Sequence, residues 1–226
     1  MFQKWRIRRQ LSLSSALFQE YLKALPKVGD QSFMDCSFIS LDIETDGLDP
    51  KQDSVLSLAS VLLSGAVIRL SETTYYFVQA EKLQTTKNIE VHGIHPSEMT
   101  QGIREKELME HVLSQLKGKI FIAHNASFDW AFLNQICLRN FGSPFFCPVI
   151  DTMRVEQARL ERKQFVMNRG SLTLSACRAR YGLPMFDEHD ARNDAMATAE
   201  LLLAQVNAMG GYARVKVRDL GVKLKG

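Results

Sequence analysis

The sequence predicts an α/β fold in which helices cover a mixed β-sheet, and two observations indicate it. Through residues 38–78, apolar segments follow one another with only short turn signals between them, which is typical of consecutive β-strands. From residue 103 onward, short apolar segments alternate with segments of helical periodicity. Strands that come first and then alternate with helices are typical of a layered α/β domain with antiparallel and parallel pairing.

One helix and three strands are predicted in the first third of the chain. The helix covers residues 11–25, where apolar side chains recur at helical spacing until Pro26 ends the pattern, and we expect it to pack on the core or on a partner. Turn signals at residues 45–47 and 64–65 separate the strands, and such short connections favour antiparallel pairing. The predicted strands are residues 38–44, 55–63 and 66–78.

Helices and short strands alternate in the remainder of the chain. Gly118, Gly182 and Gly210 end three of the predicted helices, since glycine readily takes the left-handed conformation found at helix C-termini. The predicted strands are residues 119–123 and 149–150. The predicted helices are residues 103–116, 128–141, 171–181 and 191–209, with another that begins at Thr152.

Length and composition are those of an ordinary globular protein. The 226 residues (25.6 kDa) fit one domain with extensions or at most two small domains, and 46% of them are hydrophobic. No apolar run reaches the roughly 18 residues of a membrane span, and serines interrupt the N-terminal segment, so neither a membrane protein nor a signal peptide is expected. The four cysteines lack CxxC spacing, which indicates free thiols in a reducing compartment, and we expect a cytoplasmic protein.

Charge is distributed unevenly along the chain. Residues 1–10 carry four basic residues and no acid, and residues 212–226 carry five basic residues and one acid, whereas the whole chain has a net charge of only +3. The residues between these ends are therefore net acidic. An acidic body suits cation binding and basic ends suit contact with a polyanion, although two solvated tails would have the same composition.

Two carboxylates, Asp42 and Glu44, lie near the end of the first predicted strand, in LDIETDG. Side chains two residues apart in a strand leave the same face, so both acids point the same way. Like charges this close repel each other unless a divalent cation lies between them. The alternative is a strand end that turns into solvent, where the acids would be harmless.

A third acid, Asp129, follows the predicted strand at residues 119–123 and opens the next helix, in AHNASFD. At that position it can simply complement the positive end of the helix dipole. The ends of neighbouring strands lie at one edge of a sheet, however, so Asp129 is also placed to join Asp42 and Glu44.

His189 and Asp194 lie in EHDARND, across a loop and the start of the alanine-rich last helix. Small alanines would let Asp194 approach the sheet, and His189 would overhang the same site. Imidazole titrates near neutral pH and can accept a proton from a water molecule on a metal. Oxygen ligands without a Cys or His donor cluster favour Mg²⁺ or Mn²⁺. Acid clusters of this kind suit two such ions roughly 3.5–4 Å apart, an arrangement that catalyses phosphodiester hydrolysis.

Three motifs resemble those of the DnaQ-like 3′–5′ exonucleases, the family that includes the proofreading epsilon subunits of bacterial DNA polymerase III. They are DIET with Asp42 and Glu44, HNASFD with Asp129, and His189 five residues before Asp194. That histidine spacing is similar to the DEDDh branch of the family. Further matches are VHGIHP (91–96), DTMR (151–154) and SLTLSACRARYGL (171–183).

This resemblance, which spans about residues 37–206, implies an RNase H-like fold whose five strands take the order 3-2-1-4-5. It implies that the four acids hold two Mg²⁺ or Mn²⁺ ions and that His189 is the general base. Thr45 and Leu48 would contact the sugar and base of the terminal nucleotide, and His92 would reach the bound nucleotide. The alternative for His92 is a loop residue without any such contact.

The ends of the chain depart from the family pattern. We expect a basic and amphipathic helical extension (residues 1–34), the exonuclease domain (residues 35–209) and a basic tail (residues 210–226). Residues 10–13 (QLSL) resemble the start of a sliding-clamp-binding peptide, which makes the extension a candidate contact for a clamp or a polymerase. Motifs this short often arise by chance, and the same residues could simply form the first turn of the amphipathic helix.

The sequence thus favours a metal-dependent 3′–5′ exonuclease that releases nucleoside 5′-monophosphates from single-stranded or frayed DNA ends, in proofreading or repair. Two alternatives stay open. An RNA-trimming exoribonuclease, of the tRNA-end or oligoribonucleotide type, would use the same residues, since no feature clearly recognises a 2′-hydroxyl. A polymerase-accessory module that binds nucleic acid without turnover is the other alternative, and the intact set of acids argues against it.

Overall fold

The structure, a computed structural model, describes residue 7, residues 15–79 and residues 100–226. The strands in these ranges are β1 (Ser37–Thr45), β2 (Val55–Ser64), β3 (Val67–Phe77), β4 (Ile120–Ala123), β5 (Cys147–Asp151) and β6 (Lys223–Lys225). They form one six-stranded sheet in the order β3-β2-β1-β4-β5-β6. The helices are α1 (Ala16–Ala24), α2 (Glu105–Gln115), α3 (Ser127–Phe141), α4 (Thr152–Arg162), α5 (Leu174–Ala179) and α6 (Ala191–Ala208).

Strand pairing confirms the predicted mixed sheet. β1 and β2 pair antiparallel, as do β2 and β3, whereas β4 runs parallel to β1 and β5 runs parallel to β4. The expected order 3-2-1-4-5 is therefore present. The three parallel strands β1, β4 and β5 end at the same edge of the sheet, which is where α/β folds place their ligands.

A sixth strand, β6, extends the sheet beyond the expected five. It pairs antiparallel with β5, with Lys225 opposite Cys147 and Lys223 opposite Val149. Its sequence, Lys-Leu-Lys, contains no apolar run, so periodicity alone could not predict it. The strand forms because the edge of β5 offers backbone partners, and the buried side chains of Val217 and Leu220 fasten the preceding turn to the core.

Helices cover both faces of the sheet. On one face, α1, α2 and α3 pack in a single apolar cluster that includes Phe18, Leu108 and Phe132. On the other face, α4 and α6 form a second cluster through residues such as Val155 and Leu202. No helix in the described ranges carries an apolar stretch long enough to cross a bilayer.

Helix α1 is part of the core. Phe18 and Tyr21 are both 0% exposed, and the Tyr21 hydroxyl donates a hydrogen bond to the Phe146 carbonyl oxygen at 2.6 Å. The sequence left open whether this helix packs on the core or on a partner protein. Residues 16–24 pack on the core.

Small side chains let α6 lie close to the sheet. Ala191, Ala195 and Ala199 pack directly against Ala59 and Val61 of β2. The separation is short enough for the Ser40 hydroxyl of β1 to donate to the Ala195 carbonyl oxygen at 2.8 Å. The start of α6 is thereby held beside the carboxyl end of β1.

Candidate active site

Strand β1 presents Asp42 and Glu44 to the face that α6 covers. Alternate residues of a strand share a face, and the two preceding members of this set contact that side of the fold. Phe38 lies in the apolar cluster of α4 and α6, and Ser40 is hydrogen-bonded to α6. The following even-numbered residues, Asp42 and Glu44, therefore point toward the helix that carries Asp194.

Asp194 completes a compact group of three carboxylates. One oxygen from each of Asp42, Glu44 and Asp194 lies within 4.8 Å of the others. Glu44 is only 7% exposed, so water screens this group weakly. Three carboxylates at this spacing are a suitable oxygen ligand set for Mg²⁺ or Mn²⁺, because these hard cations bind carboxylates of several elements at once.

Asp129, the fourth predicted acid, lies beside this group on the first turn of α3 and is 3% exposed. Burial raises its pKa from 3.8 to about 7, while backbone hydrogen bonds at Asp129 itself and at Ile43 oppose the rise. Since Ile43 separates Asp42 from Glu44 in β1, the Asp129 carboxyl lies next to the acids of that strand. All four predicted acids therefore meet at one edge of the sheet.

The electrostatics of the cluster favour a cation. Burial and then the charges of Asp129, Asp194 and Glu44 hold the pKa of Asp42 well above its usual range. Burial likewise raises the pKa of Asp194 to about 6. Carboxyl groups that resist ionisation because of their neighbours ionise readily once a divalent cation lies among them, so the residues fit the expected metal ions.

His189 lies in the exposed loop that leads into α6. Its backbone has a φ of 68°, a left-handed conformation that is uncommon for a residue other than glycine. The conformation lets its N–H donate to Asp194 Oδ2 at 3.1 Å, and the charge of the His189 ring lowers the pKa of Asp194 in opposition to burial. The predicted histidine is thus fixed beside the acid cluster with its ring accessible to water.

The loop between β4 and α3 contains a second strained residue, which sequence reasoning missed. Asn125 has a φ of 62°, and its N–H donates to Asp151 Oδ1 at 3.1 Å. The same oxygen accepts the N–H of Met153 at 3.1 Å, so Asp151 fastens the start of α4 to the loop that precedes Asp129. Two signals marked Asp151 in the sequence: its position directly after the predicted strand at residues 149–150 and its place in the DTMR match.

His124 anchors the same loop from its other side. Its Nδ1 lies 2.9 Å from Thr152 Oγ1 and its Nε2 lies 2.8 Å from the Leu172 carbonyl oxygen. A neutral ring with its proton on Nε2 donates to the Leu172 carbonyl oxygen, and burial lowers the pKa of His124 in agreement with that state. His124 therefore positions the loop that carries Asp129 and is not a second proton acceptor.

The three residues expected to bind the nucleotide differ in their exposure to solvent and in what the structure describes of them. Thr45 is 8% exposed, and its hydroxyl donates to the Gly47 carbonyl oxygen at 2.7 Å, which shapes the turn after β1. Leu48 is 83% exposed on that turn and has its side chain free for an apolar contact. His92 lies outside the described residues, so its contact with a nucleotide stays a prediction.

Lys225, which composition suggested only as part of a basic tail, lies close to the acids. Its Nζ donates to Ser127 Oγ at 3.0 Å and stands 5.0 Å from the centre of the Trp130 ring. Burial lowers the pKa of Lys225, and Asp151 and Asp129 are among the charges that oppose this change. A tail residue thus places a positive charge near the first turn of α3.

The comparison with known families settles the class of the protein. A family model described as an exonuclease of the RNase T type matches residues 39–202. The chain belongs to this exonuclease family. The DnaQ-like membership that the motifs indicated is thereby confirmed, and the matched range contains all four acids and His189.

Relatives in this exonuclease family include long DNA polymerases. The PolC-type DNA polymerase III of Thermotoga maritima is 28% identical over 192 residues, which cover 84% of this chain and 13% of that protein. The PolC-type polymerase of Staphylococcus aureus is 24% identical over 222 residues, which cover 98% of this chain and 15% of that protein. The chain therefore spans less than a sixth of the length of these relatives.

Solved exonuclease structures share the fold. A structure of exonuclease I covers 76% of this chain and 41% of its own, with a TM-score of 0.66 and 20% identity. E. coli exonuclease I in complex with a dT13 oligonucleotide has a TM-score of 0.62 at 18% identity, over 77% of this chain and 42% of that one. Cell-death related nuclease 4 (CRN-4) has a TM-score of 0.64 at 16% identity, over 80% of this chain and 67% of that one. Identities this low show a common fold.

Proposed function

We propose that this exonuclease domain hydrolyses single-stranded or frayed DNA from the 3′ end and releases nucleoside 5′-monophosphates. The observation that carries the proposal is the convergence of Asp42, Glu44 and Asp194 within 4.8 Å, with buried Asp129 beside them. Such a cluster of acids serves metal-dependent phosphoryl transfer, and the accessible ring of His189 at its rim supplies a proton acceptor.

Each residue has a role in this proposal. The four acids would hold two Mg²⁺ or Mn²⁺ ions. When bound, the two ions would stabilise the charge that develops on the phosphate and on the leaving 3′ oxygen. His189 takes the proton of the attacking water, and its backbone bond to Asp194 holds this part of the loop beside the cluster. His124 and Asp151 hold the loop of Asp129 against the end of β5 and the start of α4.

The terminal nucleotide would lie over the turn after β1. Leu48, 83% exposed, offers an apolar surface to its base, and the Thr45 hydroxyl, which already donates to Gly47, still has lone pairs that accept a bond from its sugar. His92 would complete this contact from the segment outside the described residues. The expected interaction is with an unpaired end, since a base must leave its duplex partner to reach such a surface.

DNA is the proposed substrate because the relatives that cover most of this chain are DNA polymerases. A role in proofreading or repair, and contact with a polymerase or clamp through residues 1–34, belong to the same proposal. Residues 35–209 would carry the residues of the catalytic unit, while α1 from the preceding segment packs in the same core and β6 from the following segment extends its sheet. The four cysteines, which all lie in the described ranges, are free thiols, in keeping with a cytoplasmic location.

Degradation of a 5′-labelled oligonucleotide tests the proposal. With Mg²⁺ or Mn²⁺ we expect a ladder that shortens from the 3′ end, and we expect EDTA or the substitution Asp42→Ala to abolish it. The matched control is Glu72→Gln, which removes an exposed charge on β3 and should leave the ladder intact.

The same assay separates the alternatives. Faster shortening of matched RNA than of DNA would identify an RNA-trimming enzyme. Binding of either strand without any product in both metals would identify a non-catalytic module and contradict the proposal.

A further inference from the structure

A groove runs along the edge of the sheet that β6 forms. It has a volume of about 410 Å³ and lies between the first turn of α3, helix α4 and strand β6; we call it the β6 groove. Its charged lining residues are the bases Arg154, Arg162, Lys223 and Lys225 and the acids Asp151 and Asp219.

Four basic and two acidic residues line the β6 groove, and both acids accept hydrogen bonds from backbone N–H groups. Asp151 accepts hydrogen bonds from the N–H groups of Asn125 and Met153, both at 3.1 Å, and Asp219 accepts one from the N–H of Lys216 at 2.9 Å. Backbone donors thus offset part of the charge of both acids, while four bases line the same groove.

The basic residues form two walls. Arg154 and Arg162 are eight residues apart on α4, so they lie along one stripe of the helix, about 12 Å apart along its axis. Lys223 and Lys225 occupy alternate positions of β6 and therefore share a face. Two parallel rows of positive charge fit an extended polyanion better than a single small anion.

The base of the β6 groove is apolar. Val149, Val155 and Leu220 line it and are at most 8% exposed. This base carries no charge that would repel a strand whose phosphates contact the basic rim.

The β6 groove lies beside the acid cluster, since the charges of both Asp151 and Asp129 act on Lys225 in its wall. Ser127 lines it and stands two residues before Asp129, and Lys225 donates to the Ser127 hydroxyl at 3.0 Å. A strand whose 3′ end reaches the acids therefore has the groove as its neighbouring surface.

We propose that the β6 groove binds the phosphodiester backbone of the substrate strand at nucleotides upstream of the one being removed. This proposal rests on the proposed nuclease function and adds a second contact region, supplied by α4 and by the C-terminal strand. The groove makes affinity increase with the length of the strand, because a mononucleotide end occupies the acid cluster and a longer strand occupies both regions.

The double substitution Arg154→Glu with Lys223→Glu tests the β6 groove. Binding of fluorescein-labelled oligothymidylates of two and of about 12 nucleotides is measured by anisotropy in EDTA, where no hydrolysis takes place. The longer strand should bind at least about tenfold more weakly to the variant. The slope of the logarithm of its binding constant against the logarithm of salt concentration should become shallower by about 1.4, since two phosphate contacts are lost. The loss for the dinucleotide should be much smaller.

The control is the double substitution Arg69→Glu with Lys106→Glu, which makes the same charge change outside the groove. Three results would each overturn the proposal that the β6 groove binds the strand. They are an equal loss of affinity in the control variant, an equal loss for both strand lengths, and no loss for the longer strand. Should the glutamate variant fail to fold by circular dichroism, the pair Arg154→Gln with Lys223→Gln gives the same comparison with a smaller expected loss. Because binding is measured without turnover, a wild-type protein that binds by length but makes no product would contradict the nuclease proposal alone.

Discussion

Replacing Asp129 by asparagine measures how far the buried acids destabilise the metal-free protein. Burial raises the pKa of this carboxyl from 3.8 to about 7, and the charges of Asp151 and Glu44 act in the same direction. Asparagine has nearly the same shape, and its amide oxygen can still accept the backbone bond at Ile43. The substitution therefore removes the ionisation of one buried acid and changes little else.

The sign and size of the effect follow from the two pKa values. In the unfolded chain the carboxyl loses its proton near pH 3.8, whereas in the folded protein it keeps the proton up to about pH 7. Between those values the folded state binds more protons, so the free energy of unfolding falls as the pH rises. The full difference corresponds to about 4 kcal/mol, of which about 3 kcal/mol is lost between pH 5 and pH 8.

Urea denaturation in EDTA at pH 5 and pH 8 checks this expectation. The wild-type free energy of unfolding should fall by about 3 kcal/mol more than that of Asp129→Asn, since the variant has no proton to lose at this position. Glu72→Gln on the exposed face of β3 should follow the wild type. Equal pH dependence in the wild type and Asp129→Asn would refute the placement of Asp129 in a buried, acid-rich site.

Two further substitutions test the proton acceptor and the core. His189→Ala should lower turnover by roughly 10²–10⁴-fold while calorimetry shows little change in Mn²⁺ affinity, and an unchanged rate would remove its role as general base. Phe18→Ala should lower the free energy of unfolding by about 3–5 kcal/mol, because the side chain is 0% exposed. The control Val67→Ala, at a position that is 51% exposed, should lower the free energy of unfolding by no more than about 0.5 kcal/mol. An equally small effect of Phe18→Ala would show that α1 is not part of the core.

Strong periodicity explains which parts of the fold were predictable. Strand β1 alternates apolar and polar residues from Ile39 to Glu44, and the structure begins and ends it within one residue of the predicted range. The last helix, predicted at residues 191–209, ends at Ala208. The convergence of the acids was also predictable, because Asp42, Glu44 and Asp129 follow or end strands that lie side by side in this sheet.

The remaining features depend on contacts between segments that are distant in sequence. Strand β6 exists through its pairing with β5, and three residues with two lysines carry no local preference strong enough to indicate it. His124 gave no signal of its own, since its role comes from contacts with Thr152 and Leu172 on other elements. The position of Lys225 beside α3 follows from β6 and was equally hidden.

The arrangement that destabilises the metal-free fold is the one that would give the acids their affinity for cations. Burial keeps water away from Glu44 and Asp129, so their mutual repulsion is strong, and the same exclusion strengthens their attraction to a divalent ion. The fold must hold the acids together before the ion binds, and it does so with neutral contacts. The close packing of α6 on β2 and the bond from Ser40 to Ala195 position Asp194 without any charge of their own. The stability of the sheet and helices thus maintains a cluster that electrostatics alone would disperse.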